Sequence, residues 1–149
     1  MEIQFIAGFG PIGTEDRRSH TFWAETLGLE LEESAPSYFH TERLEGAKAF
    51  AIWPLSQAAE STFGTKQWPE GLPVPQAWIE FDVASPEAVA VAASELIEQG
   101  HAVLKPATEE PWGQWTTRLM SPEGLLVGIS WTPWMHEAAQ PTDAADVGS

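Results

Sequence analysis

Two helices, each closed by a glycine and each set among strand-like runs in the same order, constrain this chain more than any other feature. In "SPEAVAVAASELIEQGHA", Ser85 has the side chain of an N-cap and Pro86 fits the first helical position. Val89, Ala92, Ala93, Leu96 and Ile97 then follow the stripe of an amphipathic helix, and Gly100 supplies the left-handed stop. The earlier helix, "TEDRRSHTFWAETLG", runs from a Thr14 cap to a Gly28 stop and is expected to bury Phe22, Trp23 and Leu27. Before the first helix lies "EIQFIAGFGPI", and after it come "SYFHTERL" and "KAFAIWPL". Before the second lies "AWIEFDVA", and after it come "HAVLKPA", "QWTTRLM" and "LLVGISW". The stop glycines stand 72 positions apart. This is a degenerate repeat of one β-α-β-β-β unit in two copies, too few for a solenoid.

The predicted organisation is α+β. A first βαβββ module spans 1–55, a connector 56–76, a second module 77–134 and a flexible tail 135–149. The connector is rich in proline, with a short helix expected around Gln57 to Phe63. One oddity interrupts the last strand. "LLVGISW" is built of β-branched, aromatic and other apolar residues, except that Gly128 has no side chain. Glycine inside a strand costs stability and often marks a place where another group approaches the backbone.

Composition narrows the function classes. A chain of 149 residues is most simply one domain with a sizeable core. It carries 22 acidic and 7 basic side chains, a formal charge of −15, a field that repels nucleic acid and anionic membrane surfaces. No apolar run approaches the roughly 18 residues that a membrane span needs. The N-terminus has neither a basic region nor a small-residue cleavage site, so export is not expected. Without cysteine there is no disulfide framework, thiolate zinc site or thiol nucleophile, and a cytoplasmic setting is the expectation. Eight tryptophans exceed what one small core uses, which points to partly exposed ones in a cleft or at a homodimer contact.

The stretches "FWAETLGLEL", "PWGQWTTRL" and "SPEGLLVGI" resemble, in this order and spacing, the vicinal oxygen chelate superfamily of glyoxalase I, extradiol dioxygenases and bleomycin-resistance proteins. The likeness covers residues 3 to 134 and is nearest the bleomycin-resistance branch. It implies two modules whose strands curl into an open cup with the helices outside, often as a dimer. In the metal-dependent members, His, Gln or Glu on the first strand of each module and Glu on the last strand of each hold the metal. The matching positions here are Ala7 or Gly8, Trp78, Gly128, and Ala51 or Ile52. None is a metal donor. The resemblance therefore implies a cup with no metal and no other cofactor, and Gly128 falls where the enzymes keep a ligand.

The remaining chemistry is sparse. His20, His101 and His136 read as structural or solvated, whereas His40 lies on a strand beside Tyr38 and is a candidate for binding or acid–base work. Glu80 and Asp82 share a face with Trp78, and Ile79, Phe81 and Val83 take the other. Each carboxylate either meets a ligand or is explained by edge exposure or a salt bridge to Arg118. Glu80 with His40 lacks the third donor of a metal site. Trp131 shares parity with Val127 and Ile129 and reads as core, while Trp112 sits on a Pro-Gly loop where it can stack on a ligand. The candidate ligand-binding set is Phe9, His40, Trp53, Trp78, Glu80, Trp112, Trp115 and Arg118. Aromatic walls with an acidic rim suit a planar polar or cationic molecule. A binder similar to drug-sequestering antibiotic-resistance proteins is the leading expectation. A glyoxalase- or dioxygenase-like enzyme using His40 or Glu80 is the alternative, and a regulatory or dimerisation module with a collapsed cup is a third.

Overall fold

The computed structural model describes residues 1–139 of the chain. Strand β1 (Phe5–Gly13) leads into α1 (Arg18–His20), which runs on as a wider π-helical segment, Thr21–Thr26. Strands β2 (Glu32–Ala35), β3 (Tyr38–Thr41) and β4 (Phe50–Pro54) complete the first module, and α2 (Leu55–Phe63) follows. The second module contains β5 (Ala77–Asp82), α3 (Pro86–Glu98), β6 (Val103–Glu109), β7 (Trp115–Met120) and β8 (Leu126–Trp131), with α4 (Pro133–Ala139) after it. All eight strands join one mixed sheet in the order β2-β3-β4-β1-β5-β8-β7-β6. The sheet is curled but not closed into a barrel. Each module pairs its first strand with its last in parallel, β1 with β4 and β5 with β8. The modules meet at an antiparallel seam of β1 and β5, in which Gly8 faces Glu80.

Helix α3 forms as its sequence dictates. The Ser85 hydroxyl accepts a hydrogen bond from the Ala88 amide at 3.1 Å, Val89 and Ala92 bury against Val83 and Ile129, and Ala93 is buried too. Ile97, at the end of the stripe, departs from expectation and is largely exposed. The first helix departs further. Its backbone winds wide, with the Leu27 amide donating to the Phe22 carbonyl five residues back. That wider turn breaks the phase of the apolar stripe, so Trp23 packs on Phe39, Phe50 and Ile52 while Phe22 and Leu27 stay half exposed.

The two faces of the sheet have different cores. The convex face holds the clusters under the first helix and under α3. The concave face holds Ala51, Trp78 and Leu126, with Ile12, Tyr38, Trp53 and Met120 around them, and Ala58 of α2 belongs to the same cluster. The helices of the repeat lie outside, as expected, but the connector helix α2 does not. It rests against β1, β4 and β6, inside the curl of the sheet. The tail also departs from expectation at its start. The chain continues as α4 from Pro133, and His136 takes the structural one of the two roles expected of it, reaching the fully buried Asp82 with Nε2 to Oδ2 at 2.9 Å. Residues 140–149 of the expected flexible tail lie outside the described residues.

Gly10 shows how tightly β1 and β4 approach. A Cβ there would stand 1.8 Å from the Ala51 carbonyl oxygen, and a backbone atom cannot swing aside as a side chain can. Gly10→Ala is therefore expected to destabilise the fold by about 3 kcal/mol or more, read as a lowered urea midpoint. A variant with wild-type stability would show that the two strands separate at little cost.

Candidate functional site

The seam strand β5 points Trp78, Glu80 and Asp82 to the concave side, alternating with Ile79 and Phe81 on the other. Gly128 on β8 lies directly beside Glu80, and Arg118 on β7 lies beside Gly128. A Cβ at Gly128 would fall 2.7 Å from Glu80 Cγ, so the missing side chain is the space in which the Glu80 stem lies. Gly8 does the same for Trp78, whose ring edge stands 2.6 Å from where a Cβ would be. Two glycines thus let two large side chains lie flat along the floor of the cup.

Glu80 and Arg118 are only 6% and 2% exposed and form a buried pair. Glu80 Oε2 accepts from Arg118 Nη2 at 2.9 Å and from Nε at 3.2 Å. Its Oε1 accepts from Gln114 Nε2 at 2.8 Å and from the Ser130 hydroxyl at 2.9 Å. The Arg118 guanidinium also covers the Trp53 ring, 5.0 Å from its centroid. Trp53 in turn meets Trp78 edge to face, with centroids 5.6 Å apart and planes at 72°. Trp78 is held by its Nε1 donating to the Ala51 carbonyl at 3.1 Å. From α2, Ser61 Oγ accepts from Arg118 Nη1 at 2.6 Å and donates to Glu110 Oε2 at 2.9 Å. Lys105 Nζ stands 3.1 Å from Glu110 Oε2 and also donates to the Ser61 carbonyl. Two carboxylates and two cations balance in one network across the cup.

The structure therefore brings together Trp53, Trp78, Glu80 and Arg118 of the expected set. His40 joins their face at one side, with its ring 5.7 Å from that of Tyr38. Trp112 stands at the rim, 53% exposed, and reaches inward through Gln114, whose Oε1 accepts from its Nε1 at 2.9 Å. Trp115 and Phe9 do not join them. Trp115 packs in the convex cluster under α3, and Phe9 sits on the convex side of the seam beside Ile79, 43% exposed. Their alternation within the strands decides this, since each is out of phase with the cup-facing residues. Sequence reasoning did not single out Ser61, Lys105, Glu110 and Gln114. Only their polarity beside apolar runs marked them, and their meeting depends on contacts far apart in sequence.

Burial, aided by the negative charges of Glu80 and Glu42, pushes the Tyr38 hydroxyl up to about 12. Burial also raises the Asp82 carboxyl, against the lowering effect of hydrogen bonds from Thr132 and His136. A raised acid keeps its proton better in the folded state, so the stability it contributes is lost as pH rises through the folded value. Among the described residues no three His, Asp or Glu side chains converge as a metal cage. The expected ligand positions supply no donor, and both oxygens of the nearest carboxylate, Glu80, are already committed. These residues do not fit the metal of the resembled enzymes.

No protein-family model matches the sequence, and no curated protein matches it either. Solved structures do. The chain has the fold of glyoxalase/bleomycin resistance protein/dioxygenase superfamily members. One of these, from Vibrio splendidus 12B01, aligns with a TM-score of 0.53 at 15% identity, over 88% of this chain and all of its own. A Legionella pneumophila protein described as an NAD-dependent benzaldehyde dehydrogenase aligns with a TM-score of 0.57, also at 15% identity, over 83% of this chain and 96% of its own. At such identities the likeness is one of fold.

Tyr38 is the sole tyrosine, so phenolate absorbance reports on it alone. Its midpoint is expected near 12, and Glu80→Gln is expected to lower it, since one of the negative charges disfavouring the phenolate is gone. Ionisation at an ordinary value near 10 would mean that Tyr38 is open to water. An unmoved midpoint in the variant would separate Tyr38 from Glu80.

Proposed function

We propose that this protein binds a small planar molecule at the tryptophan-lined concave side of its sheet, without a metal, and does so as a homodimer. One observation carries the reading. Trp112, a large apolar side chain, is held half out in solvent on the "PWGQ" loop, yet is tied through Gln114 to Glu80 in the cup floor. A ring presented at the mouth of an aromatic-floored concavity is a stacking surface, and its tether transmits any displacement to the buried pair. The charge of Glu80 is already met by Arg118, so the network supports a polar planar ligand better than one chosen for positive charge. Binding at this site, rather than catalysis, is the reading consistent with a floor whose acidic and basic groups already pair with one another.

A second reading has its own support. Because α2 lies within the curl and its Ser61 joins the buried network, the cup is largely filled by the chain itself. That arrangement favours a regulatory or dimerisation module. The two readings part on Trp112→Ala. For a binder, calorimetric titration against a panel of planar polar aromatics is expected to show affinity weakened by roughly 1–3 kcal/mol for whichever compound the wild type takes up. Thermal melting should be unchanged, since the ring is exposed. Full affinity in the variant would reduce the loop to a structural corner, and a wild type that takes up nothing from the panel would favour the second reading.

A further inference from the structure

Helix α2 is attached to the cup in an unusual way for a connector. It starts at Pro54 without a capping side chain on that residue and ends at Gly64, whose φ of 81° no β-branched residue adopts readily. Exposed contacts steady its first turn, where Glu15 accepts from the Ser56 hydroxyl and amide. Its buried face offers only small residues, Ala58, Ala59 and Thr62. Thr62 Oγ1 is buried with no hydrogen-bond partner among the described residues, a cost that the closed position of the helix carries and an open one does not. What α2 gives to the polar network comes from Ser61: a hydroxyl between Arg118 and Glu110, and a carbonyl for Lys105.

We propose that α2 is a displaceable plug and that Ser61 Oγ stands where a ligand hydroxyl binds. The proposal rests on the small-molecule reading above and names the ligand's chemistry. Any group replacing Ser61 Oγ must accept a hydrogen bond from the Arg118 guanidinium and donate one to the Glu110 carboxylate. A ligand carboxylate would face Glu110 without a proton to share, and an ammonium would face Arg118 without a lone pair. A hydroxyl satisfies both and leaves the balance of two carboxylates and two cations undisturbed. Trp53 and Trp78, set edge to face beside Arg118, supply a surface for a flat apolar body next to that hydroxyl. The ligand is thus a neutral alcohol with a planar apolar body, and its apparent affinity is reduced by the fraction of molecules in which α2 is closed.

Benzyl alcohol, toluene, benzoate and benzylamine make the test, applied to the wild type and to Ser61→Ala. Amide hydrogen exchange across Leu55–Phe63 reads the helix, and calorimetric titration reads binding. Benzyl alcohol is expected to bind better than the other three and to speed exchange of the α2 amides in the wild type. Ser61→Ala, with the competing hydroxyl removed, is expected to bind it about tenfold more tightly. Equal binding of alcohol and toluene would overturn the hydroxyl assignment. Binding that perturbs Trp112 but leaves α2 exchange unchanged would overturn the plug and leave the small-molecule reading standing. No binding of any probe to either protein would overturn both. The wild-type exchange measurement decides the matter even if the variant folds poorly.

Discussion

Everything on the concave side depends on the meeting of Glu80 and Arg118 away from water. Burying a carboxylate and a guanidinium is costly, and only close geometry with every remaining donor and acceptor satisfied offsets that cost. Here Gln114 and Ser130 take the second carboxylate oxygen, Ser61 takes the third guanidinium nitrogen, and Trp53 lies under the guanidinium plane. Elements that are distant in sequence are thereby fixed to one another: β5 to β7, the loop after β6 to β8, and the connector helix to all of them. The pair has room only because Gly128 lacks a side chain. A carboxylate at that position, as in the metal enzymes that the sequence resembles, would occupy the space of the Glu80 stem and add a second negative charge beside it.

The repeat was legible in the sequence because its signals are local. Ser85-Pro86, the α3 stripe and Gly100 are all read within one helix, and the strand alternation that set Trp78, Glu80 and Asp82 on one face needed only period two. Phe22 and Leu27 were misplaced because a wide backbone turn shifts side-chain phase without any mark in composition. Ile97 is exposed although it keeps the phase of the stripe, because periodicity marks a face and not how far along the helix that face is covered. The site was half legible. Trp53, Trp78, Glu80 and Arg118 do converge, while Phe9 and Trp115 face away, an outcome that depends on strand phase at positions where the sequence offers apolar residues on both faces. The position of α2 was not legible at all. Whether a short helix between two modules lies outside a sheet or within its curl depends on which long-range partners its small residues find.

That position changes the meaning of the strongly acidic composition. The formal charge of −15 belongs to the surface, whereas the interior of the cup is electrically balanced by Lys105 and Arg118 against Glu80 and Glu110. Two of the seven basic side chains are thus spent inside it against two acidic ones, which leaves the net charge outside that network unchanged at −15. The surface field and the site chemistry are separate matters in this protein.

The antiparallel seam carries a consequence for how the chain is made. Strand β1 finds one neighbour, β4, within its own module, but its other edge waits for β5, which lies beyond the proline-rich connector. During synthesis the first module therefore spends an interval with a bare strand edge at what becomes the middle of the sheet. The seam edges of the two modules are near-equivalents of each other, so the β5 of a second nascent chain offers the same hydrogen bonds as the chain's own. The connector decides between them by holding the chain's own β5 at high effective concentration. Seating α2 across β1, β4 and β6 shortens that tether further, which makes the connector helix a guard of correct strand partnership as well as a part of the finished core.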